Sequence, residues 1–268
     1  VAEPLAVAVE AARSAGKLLR EALGGPRRID FKGHPTNLVT EMDRRSETLI
    51  VERIRAAFPD HAILGEEGGA QAGQAGRSEY RWLIDPLDGT TNYAHGLPLF
   101  SVSVALERAG AVQLGVGYDP TRDELFVAQR GHGATLNGEP IRVSTTPTLD
   151  ESLLVTGFPY DIRSTSETNL PEYAALSLRS RAVRRLGSAV LDLCYVAAGR
   201  FDGFWELKLG PWDMASGGLI VVEAGGRMTD VRGGPWSPDG VGAIATNGRI
   251  HAEVLAALEE VRRTRSTG

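Results

Sequence analysis

The sequence predicts an α+β fold, and three observations predict it. Apolar residues recur at helical spacing near the N-terminus, alternating or β-branched runs fill 81–129, and beyond about residue 148 short strands alternate with helices. The 268 residues, 42% hydrophobic and 24% charged, are enough for one large or two ordinary domains around a substantial core. We divide the chain into an N-terminal part, 1–148, and a C-terminal part, 149–268. No linker separates them, so an interface is expected, and ligand sites favour such junctions.

The elements follow in order. Pro4 suits the first turn of a helix, and Leu5, Val9, Ala12, Gly16, Leu19 and Leu23 recur at helical steps until Gly24-Gly25-Pro26 stops it. Thr40 followed by Asp43 predicts a capped start for a second helix, with Leu49, Ile50, Ile54 and Ala57 inward and Pro59 beyond its end. The Gly- and Gln-rich stretch 70–76 predicts a mobile loop. Strands are expected over 81–85, ended by Pro86, and over 99–107, 112–118 and 124–129 as an antiparallel sheet. The second part reads as strands 153–156 and 204–207 with helices near 167–178, 188–198, 213–224 and 250–261.

Charge and composition exclude several classes. With 29 basic against 34 acidic residues the net charge is −5, which gives nucleic acid no general attraction. A single cysteine, Cys194, cannot close an intrachain disulfide, and no apolar run reaches the ~18 residues that span a bilayer. A cytoplasmic protein without membrane partners is the expectation.

The densest chemistry lies in Trp82-Leu-Ile-Asp85-Pro-Leu-Asp88-Gly-Thr90-Thr91-Asn92. An apolar strand ends in two carboxylates and meets a glycine turn, where backbone N–H groups of Gly89, Thr90 and Thr91 suit a phosphate and Asp85 with Asp88 suit a hard cation beside it. Glu66 and Glu67 end another apolar run, and Asp213 opens a later helix, although a solvated loop pair and a helix cap are the commoner roles for such residues. With no His or Cys pair to complete a zinc site, oxygen donors alone point to Mg²⁺. Mg²⁺ in turn suits phosphate ester hydrolysis by activated water.

Gly65-Glu66-Glu67, the box Asp85 to Asn92 and Pro211-Trp212-Asp213 resemble the inositol monophosphatase family along the whole chain. Lys32 with Asn37 to Thr40 and Asp43, Gly187-Ser188-Ala189, and Trp205-Glu206 resemble its further motifs. The resemblance implies a layered αβαβα sandwich of the inositol monophosphatase and fructose-1,6-bisphosphatase type. It also implies lithium-sensitive hydrolysis of small phosphate monoesters with two or three Mg²⁺ ions, and a homodimer. Carried over, Glu66, Asp85, Asp88, Asp213 and the Leu87 carbonyl hold metal, while Thr90 with Asp43, alongside Glu66, serves the attacking water. Lys32, Asp88, Gly89, Thr90 and Thr91 meet the phosphate side, and Ser188, Ala189, Glu206 and Asp213 meet the alcohol, for which an inositol monophosphate leads. Fructose 1,6-bisphosphate, histidinol phosphate and adenosine 3′,5′-bisphosphate are alternatives, with Arg163, Arg179, Arg181, Arg184 and Arg185 available for a second phosphate. A regulatory binding protein with secondary catalysis is the alternative of another class.

Two further signatures carry less. Cys194 and Arg200 have the spacing of cysteine-dependent phosphatases, but an Ala-rich apolar helix around Cys194 predicts an inert core thiol. His34, His61, His95, His132 and His251 show no metal spacing and read as structural or surface residues.

Overall fold

The computed structural model describes residues 3–25, 29–31, 37–76 and 78–266. Pro4 opens α1 (Pro4–Ala22), whose buried face is Ala8, Ala11, Ala12, Ala15, Gly16 and Leu19. The stripe is thus centred on the alanines, while Leu5, Val9 and Leu23 flank it half-buried. Short side chains let the helix lie close to the sheet beneath it, and the longer ones fill the margins.

A hairpin of β1 (Ile29–Phe31) and β2 (Leu38–Thr40) leads into α2 (Glu41–Ala57). The expected cap is present in full. Thr40 Oγ1 accepts the Met42 N–H at 3.1 Å, and Asp43 Oδ2 accepts the Thr40 N–H at 2.8 Å.

The larger sheet then forms from β3 (Ala62–Gly65), β4 (Gly69–Gln71), β5 (Tyr80–Asp88), β6 (Ser101–Arg108), β7 (Ala111–Asp119), β8 (Glu124–Gln129), β9 (Ala134–Leu136) and β10 (Glu139–Pro140), with the short helix α3 (Thr90–Ala94) between β5 and β6. Its spatial order is β10-β9-β8-β7-β6-β5-β3-β4. Two expectations are corrected here. Strand β5 does not end at Pro86 but runs to Asp88, because the register shift between Asp85 and Asp88 takes the missing proline N–H out of the ladder. The stretch 70–76 is not a free loop: β4 pairs with β3, and the Arg55 guanidinium donates to the Ala72 carbonyl at 2.9 Å.

The second sheet uses β11 (Leu153–Thr156), β12 (Ala182–Arg184), β13 (Gly203–Leu207), β14 (Arg227–Thr229) and β15 (Gly242–Thr246) in the order β12-β11-β13-β15-β14. Helices α4 (Leu170–Ser177), α5 (Ala189–Ala197), α6 (Pro211–Glu223) and α7 (His251–Ser266) intervene. Five layers result: α1 and α2 cover one face of the larger sheet, α5 and α6 lie between the two sheets, and α4 and α7 cover the outside of the smaller one. This is the αβαβα sandwich. The period of two in β5 serves both faces, with Trp82 and Ile84 turned to α1 and α2 and Leu83 turned to the middle layer. Among the described residues no helix is long and apolar enough to cross a membrane.

Candidate active site

The strand irregularity that absorbs Pro86 also sets the site. It displaces Leu87 and turns both Asp85 and Asp88 into the crevice where β5 ends. Asp85 Oδ1 accepts the Leu87 N–H at 3.0 Å, and the Ser46 hydroxyl ties down the Pro86 carbonyl at 2.8 Å. Gly89 follows at φ +98°, a left-handed conformation that turns the chain at once into α3. A side chain at Gly89 would also press on the Leu99 carbonyl at 3.0 Å.

Asp88 is gripped from the second half of the chain. Its Oδ2 accepts the Ser188 hydroxyl at 2.5 Å, the Val190 N–H at 2.8 Å and the Ser101 hydroxyl at 3.2 Å, and its Oδ1 accepts the Ala189 N–H at 3.2 Å. The carboxylate thus sits at the positive N-terminus of α5, which ties the larger sheet to the middle helical layer at the site. Asp213 lies in the first turn of α6 and accepts the Gly210 N–H at 2.6 Å, so capping and a place in the site coexist.

One oxygen from each of Asp85, Asp88 and Asp213 lies within 4.8 Å of the others. Such crowding has an electrostatic signature. Burial first, then repulsion by Glu66, Asp88 and Asp213, holds the Asp85 carboxyl well above the usual carboxylate range. Burial, then Glu66 and Asp88, does the same to Asp213. Burial raises Asp88 as well, against the hydrogen bonds from Ser188 and Val190 that favour its charged form. A cluster of acceptor-only groups that repel one another fits a divalent cation, which would relieve that repulsion and take oxygen ligands.

The sequence-derived residues divide among three adjoining spaces. Glu66, Asp85, Leu87, Asp88, Gly89, Thr90 and Asp213 line one cavity of about 160 Å³, together with Asn37. Ser188, Ala189 and Glu206 line a narrower one of about 70 Å³, where Asp88 and Asp213 also appear. Thr91 faces away from both, into an apolar groove with Ile29, Phe31 and His95. Asp43 lies buried behind Thr90, whose hydroxyl donates to Asp43 Oδ1 at 2.9 Å and lies 3.1 Å from the Leu87 carbonyl. Lys32 and His34 fall outside the described residues. Of the five arginines held available for a second phosphate, Arg185 alone lines these spaces.

Several residues escaped the sequence reading. Glu47, buried on α2 one turn after Asp43, accepts the N–H groups of Glu67 at 2.9 Å and Gly68 at 2.6 Å and so shapes the loop carrying Glu66. The i, i+4 step from Asp43 is the signal that could have found it. Tyr160 and Lys208 line both polar cavities; Lys208 holds a left-handed φ of +58°, and its ammonium bonds Asp161 at 2.7 Å and Thr165 at 2.8 Å. Asp192, fully buried on α5, lines the narrower cavity. Burial pushes its carboxyl and that of Glu206 far up, with Glu206 acting next on Asp192, and Asp213 next on Glu206. A lone Asp in the otherwise apolar run 189–197 is its signal.

The cysteine signature dissolves in the fold. Cys194 is buried in the middle layer, burial pushes its thiol well up, and Arg200 is engaged by Glu124 at 2.5 and 2.6 Å. His61 stacks on Phe58 and Tyr80 and accepts the Trp82 indole N–H at 3.1 Å, a structural role.

Comparison with known proteins agrees with this geometry. A profile described as the inositol monophosphatase family matches residues 1–263. The chain is 48% identical over 254 residues to an inositol-1-monophosphatase of Synechocystis, covering 95% of this chain and 88% of that one. It is 42% identical over 257 residues to the Nus factor SuhB of Escherichia coli, covering 96% of each. An inositol monophosphatase structure from Anabaena superposes with a TM-score of 0.86 at 45% identity, covering 96% of this chain and 95% of that one. With the strand-end acids, the layered fold and these likenesses in agreement, the chain belongs to the inositol monophosphatase family and is a phosphatase.

Proposed function

We propose that the chain is a Mg²⁺-dependent phosphomonoesterase whose leading substrate is an inositol monophosphate, released as inositol and phosphate. The observation that carries the reading is the convergence of Asp85, Asp88 and Asp213 within 4.8 Å, from two strand and helix termini far apart in sequence. These three, with Glu66 and the Leu87 carbonyl, are the groups that would hold divalent cations. Bound there, the cations would supply Lewis acidity toward the ester phosphate and a nucleophilic water.

The chain's own residues do the positioning. The Thr90 hydroxyl commits its proton to Asp43 or to the Leu87 carbonyl, so its lone pairs are left to accept a hydrogen bond from the attacking water and aim it. Asp43 is itself fixed by the Thr40 N–H and hydroxyl, at 2.8 and 2.6 Å, which keeps Thr90 in one orientation. Backbone N–H groups at Gly89 and Thr90 offer donors to the phosphate, with Thr91 and Lys32 assigned to that side by family likeness. Ser188, Ala189 and Glu206 border the space left for the alcohol.

The family resemblance extends the reading to a cytoplasmic homodimer inhibited by lithium, with the site at the junction of parts 1–148 and 149–268. Relatives carrying the name Nus factor SuhB raise a second reading, a partner-binding role beside catalysis. The complete acid set favours turnover as the first. The test is phosphate release from a panel of monoesters with and without Mg²⁺ and Li⁺. Metal-dependent release led by inositol monophosphate and suppressed by Li⁺ is expected. No release from any ester at saturating Mg²⁺ would overturn the reading.

A further inference from the structure

The narrower cavity contains an anomaly that the proposed reaction does not use. Asp192 is 0% exposed, and among the described residues neither of its carboxylate oxygens has a hydrogen-bond partner. A buried carboxylate stripped of donors is strongly unfavourable, and scaffold acids are normally provided for. Elsewhere in this molecule they are: Asp88 receives four hydrogen bonds, and buried Asp202 receives the Ser144 hydroxyl at 2.5 Å and the Leu153 N–H at 2.7 Å.

A second observation points into the same space. Glu206 is held against the backbone at Gly157, where an added Cβ would lie 2.0 Å from Oε1, so glycine is what lets that carboxylate stand there. Asp192 and Glu206 line one cavity of about 70 Å³, roughly the room of a hydroxyl-bearing carbon or a few waters. Two cationic residues border it. Arg185 is exposed at the rim, and the Lys208 ammonium is taken by Asp161 and Thr165.

We propose that Asp192 is a specificity-determining residue that forms, with Glu206, an acceptor pair reading the hydroxyl donors of the leaving alcohol and rejecting a second phosphate at that end of the site. This rests on the phosphatase reading above and narrows its substrate class to polyol monophosphates. A hydroxyl has a proton to donate to such a pair, whereas a phosphate dianion has none and would leave the Asp192 oxygens without a partner. Rejection is therefore built into the pocket by the same groups that give recognition.

The experiment compares wild type with Asp192→Asn, with Mg²⁺, on myo-inositol 1-phosphate, fructose 1,6-bisphosphate and 4-nitrophenyl phosphate, whose leaving group has no further hydroxyl. Expected for the variant is a loss of about tenfold in kcat/KM on the inositol ester, mostly through KM, with the nitrophenyl ester within about twofold. The preference for monophosphate over bisphosphate should narrow by about tenfold. An unchanged preference, or an equal loss on all three esters, overturns the proposal, since a merely structural Asp192 would move all of them together. Should the amide variant fail to fold, Asp192→Leu, which buries no polar atom, carries the same comparison. Wild type inactive on every ester overturns the phosphatase reading itself, and wild-type turnover of the nitrophenyl ester tells the two failures apart.

Discussion

The buried acids on the two sides of the crevice are treated differently. On the side of the larger sheet, Asp43, Glu47, Asp85 and Asp88 each accept hydrogen bonds from named donors, several of them backbone N–H groups. On the side of the smaller sheet, Asp192 and Glu206 border the cavity, and among the described residues neither oxygen of Asp192 has a hydrogen-bond partner. The first set is built to stay in place while it carries charge. The second is left with acceptor capacity that a ligand can fill, so the contrast separates the groups that hold the reaction from those that select what enters it.

The largest effect should come from the first set. Asp88→Asn keeps shape while weakening the charge shared with Asp85 and Asp213. Steady-state phosphate release should fall roughly a thousandfold, about 4 kcal/mol of transition-state stabilisation, and because the amide cannot accept from both the Ala189 and the Val190 N–H, the melting temperature should fall by a few degrees while the fold is kept. Wild-type turnover in this variant at saturating Mg²⁺ would place Asp88 outside the reaction. Glu47→Ala removes two charge-assisted hydrogen bonds to the loop of Glu66 and should destabilise the fold by about 2 to 4 kcal/mol in urea titration. If stability holds, the loop has another anchor.

On the other side, Gly157→Ala forces Glu206 from its place. The expected result is a roughly tenfold rise in KM for inositol monophosphate with little change in kcat. A KM equal to wild type would show that Glu206 does not meet the alcohol.

A pH dependence of stability is expected away from the crevice. Burial, with Arg227 nearby, lowers the His251 pKa to about 4 from its ordinary 6.5, and its ring nitrogens lie 3.0 and 2.9 Å from the hydroxyls of Thr229 and Thr246. The unfolded chain therefore binds this proton more readily. The stability linked to His251 is complete above about pH 6.5 and is lost as pH falls toward about 4. His251→Asn should flatten melting temperature against pH in that window, and an identical slope would assign the dependence to other groups.

How much of this was legible follows the same divide. The box from Asp85 to Asn92 announces itself because strand, acids and glycine are contiguous, and the capping box of Thr40 and Asp43 is equally local. Glu47 is hidden because an acid on an amphipathic helix reads as solvated until the fold brings the Glu66 loop over it. Strand β15, Gly-Ala-Ile-Ala-Thr, carries one large branched residue, Ile244, among small ones, too little bulk to mark a strand, since it is buried within the smaller sheet. The order of the stretch 70–76 is invisible in its composition because it comes from pairing with β3 and from Arg55, fifteen or more residues away. Asp192 shows the limit most clearly: its residue type was visible, but its want of partners is a property of the folded site.

The central claim is that acids distant in the chain make one divalent-cation site beside the ester. A crystal grown with Mg²⁺ and phosphate tests it most directly. The account predicts ions held by Asp85, Asp88 and Asp213 with Glu66 at oxygen distances of about 2.0 to 2.1 Å, whereas well-ordered carboxylates with no ion among them at saturating Mg²⁺ would contradict it.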